Sequence, residues 1–195
     1  MPPVSLLPIA ALAALCLAGC ARHAPDGAAP ASSCLPSHDG YLRVRLRGAR
    51  DIDLDWHDAD LQCEGGERPG QRGLRLAFAG PQTSPGHRLR FVFGVATEPG
   101  IASAREVPAN VTVIFEGEEG LYSTRGDDKC TIDELTQAPL IARDDSHISA
   151  GSLRVTGRGF CVSPAAALSG GDTLLLSRFD FAGLVVDSTT ADHPQ

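Results

Sequence analysis

Apolar and polar side chains alternate along most of this chain. Leu42, Val44 and Leu46 are interleaved with Arg43, Arg45 and Arg47, and Ile52, Leu54 and Trp56 with Asp51, Asp53 and Asp55. A period of two sends the two sets to opposite faces of a strand. The same alternation returns at 74–78 and 89–93, at 111–116 and 121–125 around a Gly/Glu turn, and at 152–160, 173–181 and 184–186. Clusters such as Ala79-Gly80-Pro81 and Glu98-Pro99-Gly100 punctuate these runs. Together they predict an all-β domain, an antiparallel β-sandwich of about 8–9 short strands. Two short helical turns are expected beside them. Thr131-Ile132-Asp133-Glu134 has the spacing of a capping box, with Pro139 as a stop. Ser163-Pro164 resembles an N-cap with proline at the first helical position, before 165–168 and the terminating Gly170-Gly171.

The first two strands carry enough pattern to predict a register. If Gly48-Ala49-Arg50 is a three-residue hairpin loop, Arg47 lies opposite Asp51, Arg45 opposite Asp53 and Arg43 opposite Asp55. On the other face Leu46 then meets Ile52, Val44 meets Leu54 and Leu42 meets Trp56. One face is wholly apolar and the other wholly complementary in charge. A slip of one residue would set charge against hydrocarbon throughout, so the register is strongly specified.

The N-terminus follows a different pattern. Residues 4–18 are apolar except for Ser5 and Pro8, a run of about 15 residues, whereas a membrane-spanning helix needs about 20. It has the length of a signal-peptide core, although Met1-Pro2-Pro3 lacks the usual Lys or Arg. The run ends Leu17-Ala18-Gly19-Cys20, which resembles the lipobox of bacterial lipoproteins. That resemblance implies cleavage before Cys20, a diacylglyceryl modification of its thiol, and acylation of the new amine with a palmitate-type chain. Several acyl chains on one residue make a firm anchor. Ala21, where an Asp would signal retention, implies sorting to the outer membrane. Residues 21–33, rich in Ala, Pro and Ser, read as a flexible tether. The expected organisation is a signal peptide at 1–19, lipidated Cys20 and tether at 20–33, the β-sandwich at 34–187 and a disordered tail at 188–195. Gly157-Arg158-Gly159-Phe160-Cys161 and Ser177-Arg178-Phe179-Asp180-Phe181-Ala182-Gly183 resemble segments of uncharacterised proteobacterial lipoproteins, which implies no activity.

Composition narrows the function classes. The 195 residues carry a net charge of -7, and none of the charges lies in 1–19. An acidic exported domain is unsuited to nucleic acid, whose phosphates require a basic face. Of six cysteines, Cys16 belongs to the signal segment and Cys20 to the lipobox. Cys34, Cys63, Cys130 and Cys161 remain, an even number in an oxidising compartment, which points to two disulfides. Three connectivities are possible on counting alone. The hairpin favours one, because Cys34 precedes its first strand and Cys63 follows its second. They meet at its open end, leaving Cys130 for Cys161. No CxxC pair suggests zinc or a redox centre.

Candidate chemistry is thin. Asp51, Asp53, Asp55, Asp58 and Asp60 with His57 form an acidic run of the kind that could bind calcium. Alternate residues on a strand stand roughly 7 Å apart, however, and a solvated strand face is the favoured reading. Asp127, Asp128, Asp133 and Glu134 could ring a cation, but the loop Arg125-Gly126-Asp127-Asp128-Lys129 has no EF-hand pattern. A disulfide-pinned turn explains it more simply. Asn110-Val111-Thr112 has the form of a glycosylation acceptor, discounted in a bacterial lipoprotein. His57, His87 and His147 stand in separate segments, and neither a Gly-x-Ser-x-Gly elbow nor an HExxH helix occurs. The expected protein is a non-catalytic envelope lipoprotein with no cofactor and no metal. It would be joined to the membrane by its lipid, with another envelope protein, a glycan or a small ligand as its partner. The alternative is an enzyme or cation-binding periplasmic protein that uses the acidic loops.

Overall fold

The computed structural model describes residues 34–70, 72–118, 120–141 and 151–186. The signal segment, Cys20, the tether, His147 and the tail beyond 186 lie outside them. Eleven strands fill the described chain: β1 (Tyr41–Gly48), β2 (Ile52–His57), β3 (Gln62–Glu67), β4 (Leu74–Ala79), β5 (Arg88–Val95), β6 (Ser103–Glu116), β7 (Gly120–Ser123), β8 (Cys130–Pro139), β9 (Ser152–Cys161), β10 (Ala165–Ala167) and β11 (Thr173–Val186). All eleven belong to one antiparallel sheet.

Pairing runs β2–β1–β11–β9–β8–β6–β5–β4–β3. β7 and β10 make a second route between the two longest strands, β6 and β11. The sheet folds over so that its apolar faces meet, as in a sandwich. Phe78 of β4 and Phe93 of β5 pack against Phe179 and Phe181 of β11, with ring centroids 5.0–5.6 Å apart. All four rings are fully buried. The alternation of the sequence is thereby explained: the apolar set of each strand enters this shared core and the charged set faces water.

The β1–β2 register is the expected one, with Leu42 opposite Trp56, Arg43 opposite Asp55, Val44 opposite Leu54, Arg45 opposite Asp53 and Leu46 opposite Ile52. Gly48 turns the chain with a φ of 120°, and its N–H donates to the Asp51 carboxylate at 3.2 Å. Cys34 is bonded to Cys63 and Cys130 to Cys161. The first bridge fastens the chain entering β1 to β3. The second joins directly opposed residues of β8 and β9.

Neither expected helical turn forms. Residues 130–139 are strand β8, and 165–167 are strand β10. In β8 the buried positions are 130 and 132, then 135 and 137. A β-bulge at Asp133, between the pairs Ile132–Gly159 and Glu134–Arg158, shifts the phase by one. The resulting three-residue spacing of Ile132 and Leu135 imitates one helical turn. In β10 the alanines favour helix locally. Their small side chains, two of them buried, instead fit a short strand between Tyr122–Ser123 of β7 and Thr173–Leu174 of β11. Tertiary packing here overrides propensity.

Candidate functional site

The outward side chains of six strands form one continuous polar face. Its central row follows the pairing Asp55 (β2), Arg43 (β1), Asp180 (β11), Arg158 (β9), Glu134 (β8) and Arg105 (β6). The sign of the charge alternates at every step. Arg43 Nε donates to Asp55 Oδ1 at 2.9 Å. Arg158 lies 2.8 Å and Arg105 3.4 Å from the Glu134 carboxylate. Asp180 accepts a hydrogen bond from the Tyr41 hydroxyl at 2.9 Å. Burial, reinforced by that bond and by the negative charge of Asp180, pushes the Tyr41 phenol up to about 12, so at neutral pH it is a fixed donor. The Arg43 guanidinium lies over the Tyr41 ring, 4.7 Å from its centroid.

Two segments singled out in the sequence prove to be neighbours in this face. Gly157-Arg158-Gly159 pairs with Phe179-Asp180-Phe181, glycine against phenylalanine and arginine against aspartate. The glycines leave room for the rings. A Cβ at Gly157 would lie 2.6 Å from the Phe181 ring, and one at Gly159 would lie 2.0 Å from the Thr131 carbonyl oxygen. Aromatic rings covering cross-strand glycines are a known device of twisted sheets.

The acidic run divides into two parts. Asp53 accepts from Arg45 at 3.3 Å and Arg47 at 2.8 Å. Arg47 thus reaches diagonally to Asp53 and not straight across to Asp51, whose carboxylate is taken by the Gly48 N–H. The two arginines, their hydrogen bonds first, hold the Asp53 carboxyl below the usual aspartate range. Asp58 turns inward at a single 3-10 turn, Asp58–Asp60. It is buried, accepts the Leu35 N–H at 2.9 Å and lies 3.3 Å from His38 Nδ1. It therefore holds down the segment that begins with Cys34. His57 stands 3.5 Å from Asp55. The aspartates do not converge, and among the described residues no group of three or more His, Cys, Asp or Glu could hold a metal ion. Asp53→Asn is expected to lower the melting temperature by about 2 °C at most, because exposed ion pairs contribute little. Calcium is expected to leave the wild-type melting curve unmoved. A calcium-dependent rise abolished by the substitution would revive the metal reading.

The second acidic cluster is also dispersed. Arg68 donates to both oxygens of Asp127, at 3.0 and 2.9 Å, and Asn110 Nδ2 donates to Asp127 Oδ1 at 2.7 Å. Asp128 pairs with Lys129, Asp133 occupies the bulge and Glu134 belongs to the outer face. The Asn110 amide is thus engaged within the fold, which removes it as a glycosylation acceptor in this conformation. The Arg68 bonds and charge, helped by Asn110, hold the Asp127 carboxyl below its ordinary range against the opposing effect of burial. A depressed folded-state pKa contributes stability above the unfolded value and loses it as pH falls through the folded one. Asp127→Asn should therefore destabilise the protein at neutral pH, with the deficit shrinking as pH falls below about 4. Melting curves across that range check this; a deficit that stays constant would contradict it.

Tyr41, Arg105, Arg158, Arg178 and Asp180 were not among the sequence candidates. Their signal was the placement of Arg178 and Asp180 beside alternating apolar residues, but it could not say which strands would flank them. The face presents guanidinium donors and carboxylate acceptors. A scan against protein-family models finds no match for the chain, and neither do searches of curated proteins and of solved structures.

Proposed function

We propose that this protein is a cell-envelope lipoprotein whose non-catalytic, disulfide-braced β domain serves as a binding or structural module, held by acyl chains on Cys20 and sorted to the outer membrane. The observation that carries this reading is the fate of the cysteines. Both disulfides are internal to the domain. They consume every cysteine after the lipobox, so in a chain cut before Cys20 no other cysteine of the domain would compete with the lipid for its thiol. Disulfides of this kind persist in extracytoplasmic compartments, which agrees with an exported chain. The all-β scaffold is compatible with display of a polar face. Of the acidic side chains that suggested cation chemistry, Asp51, Asp53, Asp55, Asp58, Asp127, Asp128 and Glu134 are engaged by arginines, a lysine or backbone N–H groups, which favours a module over an enzyme or cation-binding protein.

The test is fractionation. Wild-type protein should sediment with membranes and require detergent for release, and it should incorporate labelled palmitate. Cys20→Ala should lose the label and accumulate as a soluble periplasmic form or an unprocessed precursor. Label retained by Cys20→Ala would refute the assignment of the anchor.

A further inference from the structure

Beside the central row, one pair of directly opposed residues on the outer face carries like charges. Arg45 of β1 lies directly opposite Arg178 of β11. Like charges in that relation are destabilising. A β-bulge creates the opposition, since the next pair is Leu46 with Leu176 and Ser177 is the extra residue. Both Ser177 and Arg178 are exposed. Arg45 shares Asp53 with Arg47. Asp55 is taken by Arg43 and Asp180 by the Tyr41 hydroxyl. Arg178 has no carboxylate partner among the described residues, although every arginine of the adjacent row has an acid beside it.

These residues line a shallow depression of about 300 Å³ bounded by Arg43, Arg45, Asp53, Asp55, Arg178 and Asp180. Phe160 lies on the same side of β9 as Arg158. It is 37% exposed and directly follows Gly159, the partner of Phe179. Folding alone does not account for a like-charge pair held in a bulge, because a neutral or acidic residue at 178 would remove the repulsion. We infer that this depression binds an acidic sugar unit of a glycan, whose carboxylate or phosphate is received between Arg45 and Arg178. The arginine fork matches such oxyanions in a bidentate manner. The flanking arginine–aspartate pairs supply both donors and acceptors for sugar hydroxyls. The volume admits roughly one hexose-sized ring, at the lower end of small-molecule sites. This assignment rests on the binding-module reading and names its ligand class.

The experiment titrates the full chain, purified in detergent, with trigalacturonate, glucose 6-phosphate and, as a neutral control, maltotriose. Binding of one of the two acidic probes and not of maltotriose is expected. Arg178→Ser should weaken that binding by about tenfold or more without lowering the melting temperature. Arg178→Glu, which sets a carboxylate opposite Arg45, should abolish binding and raise the melting temperature. The inference is overturned if neither acidic probe binds, if maltotriose binds equally, if Arg178→Ser binds as wild type, or if that variant is destabilised as a purely structural arginine would be. Titration in detergent does not depend on where the chain is anchored. Its failure is therefore distinct from a failure of the lipoprotein reading.

Discussion

Phe93→Ala should be among the most damaging single substitutions in the domain. Phe93 is fully buried, and its ring centroid lies 5.1 Å from that of Phe179, 5.0 Å from Phe181 and 6.0 Å from Phe78. It joins the β4–β5 layer to β11 across the core. Truncation removes these contacts and leaves a cavity that surrounding strands, fixed by their ladders, can fill only in part. A cost of about 3–5 kcal/mol is expected, which for a domain of this size is a fall in melting temperature on the order of 10 °C. Phe93→Leu should cost markedly less. Thermal melts followed by circular dichroism check both. A Phe93→Ala variant that melts with the wild type would mean that the layers do not meet at this residue.

Removal of the Cys130–Cys161 bridge should produce the second large effect. The bridge closes a loop with a sequence separation of 31 and lies between buried residues of paired strands. Replacing both cysteines by alanine should destabilise the domain by about 2–4 kcal/mol, chiefly through the freedom restored to the unfolded chain. The Cys34–Cys63 bridge has a similar separation, 29. Its loss also loosens the attachment of the entering chain, which then depends on buried Leu35 and on the bond from its N–H to Asp58. Denaturant melts of the two double variants measure these losses. Wild-type stability in the Cys130→Ala/Cys161→Ala protein would show that the bridge does not brace the fold.

The local architecture is largely legible in the sequence. Period-two alternation identifies the strand-rich class. In β1 and β2 both faces carry information, apolar against apolar and arginine against aspartate, so their register follows from the residue pattern alone. The disulfide pairing follows because each bridge lies at the end of strands near in sequence. Legibility stops where the period breaks. At Asp133 a bulge interrupts the alternation, and there the capping-box spacing of Thr131 to Glu134 reads as the start of a helix; the bulge at Ser177 brings Arg178 opposite Arg45. The ladder on the outer face is hidden for another reason. Its central step, Asp180 to Arg158, joins strands separated by β10, and nothing in either segment names the other as its neighbour. The alternating glycines at 157 and 159 complement the alternating phenylalanines at 179 and 181. Only the folded sheet gives that complementarity its meaning.

Mass spectrometry of the protein extracted from its native membrane, digested without reduction, is the most direct single measurement. The expected result is an N-terminal peptide that begins at Cys20 and carries acyl chains, together with linked peptides joining Cys34 to Cys63 and Cys130 to Cys161. An unmodified N-terminus at any other residue, or a peptide linking Cys34 to Cys130 or Cys161, would contradict the lipid-anchored, disulfide-braced module.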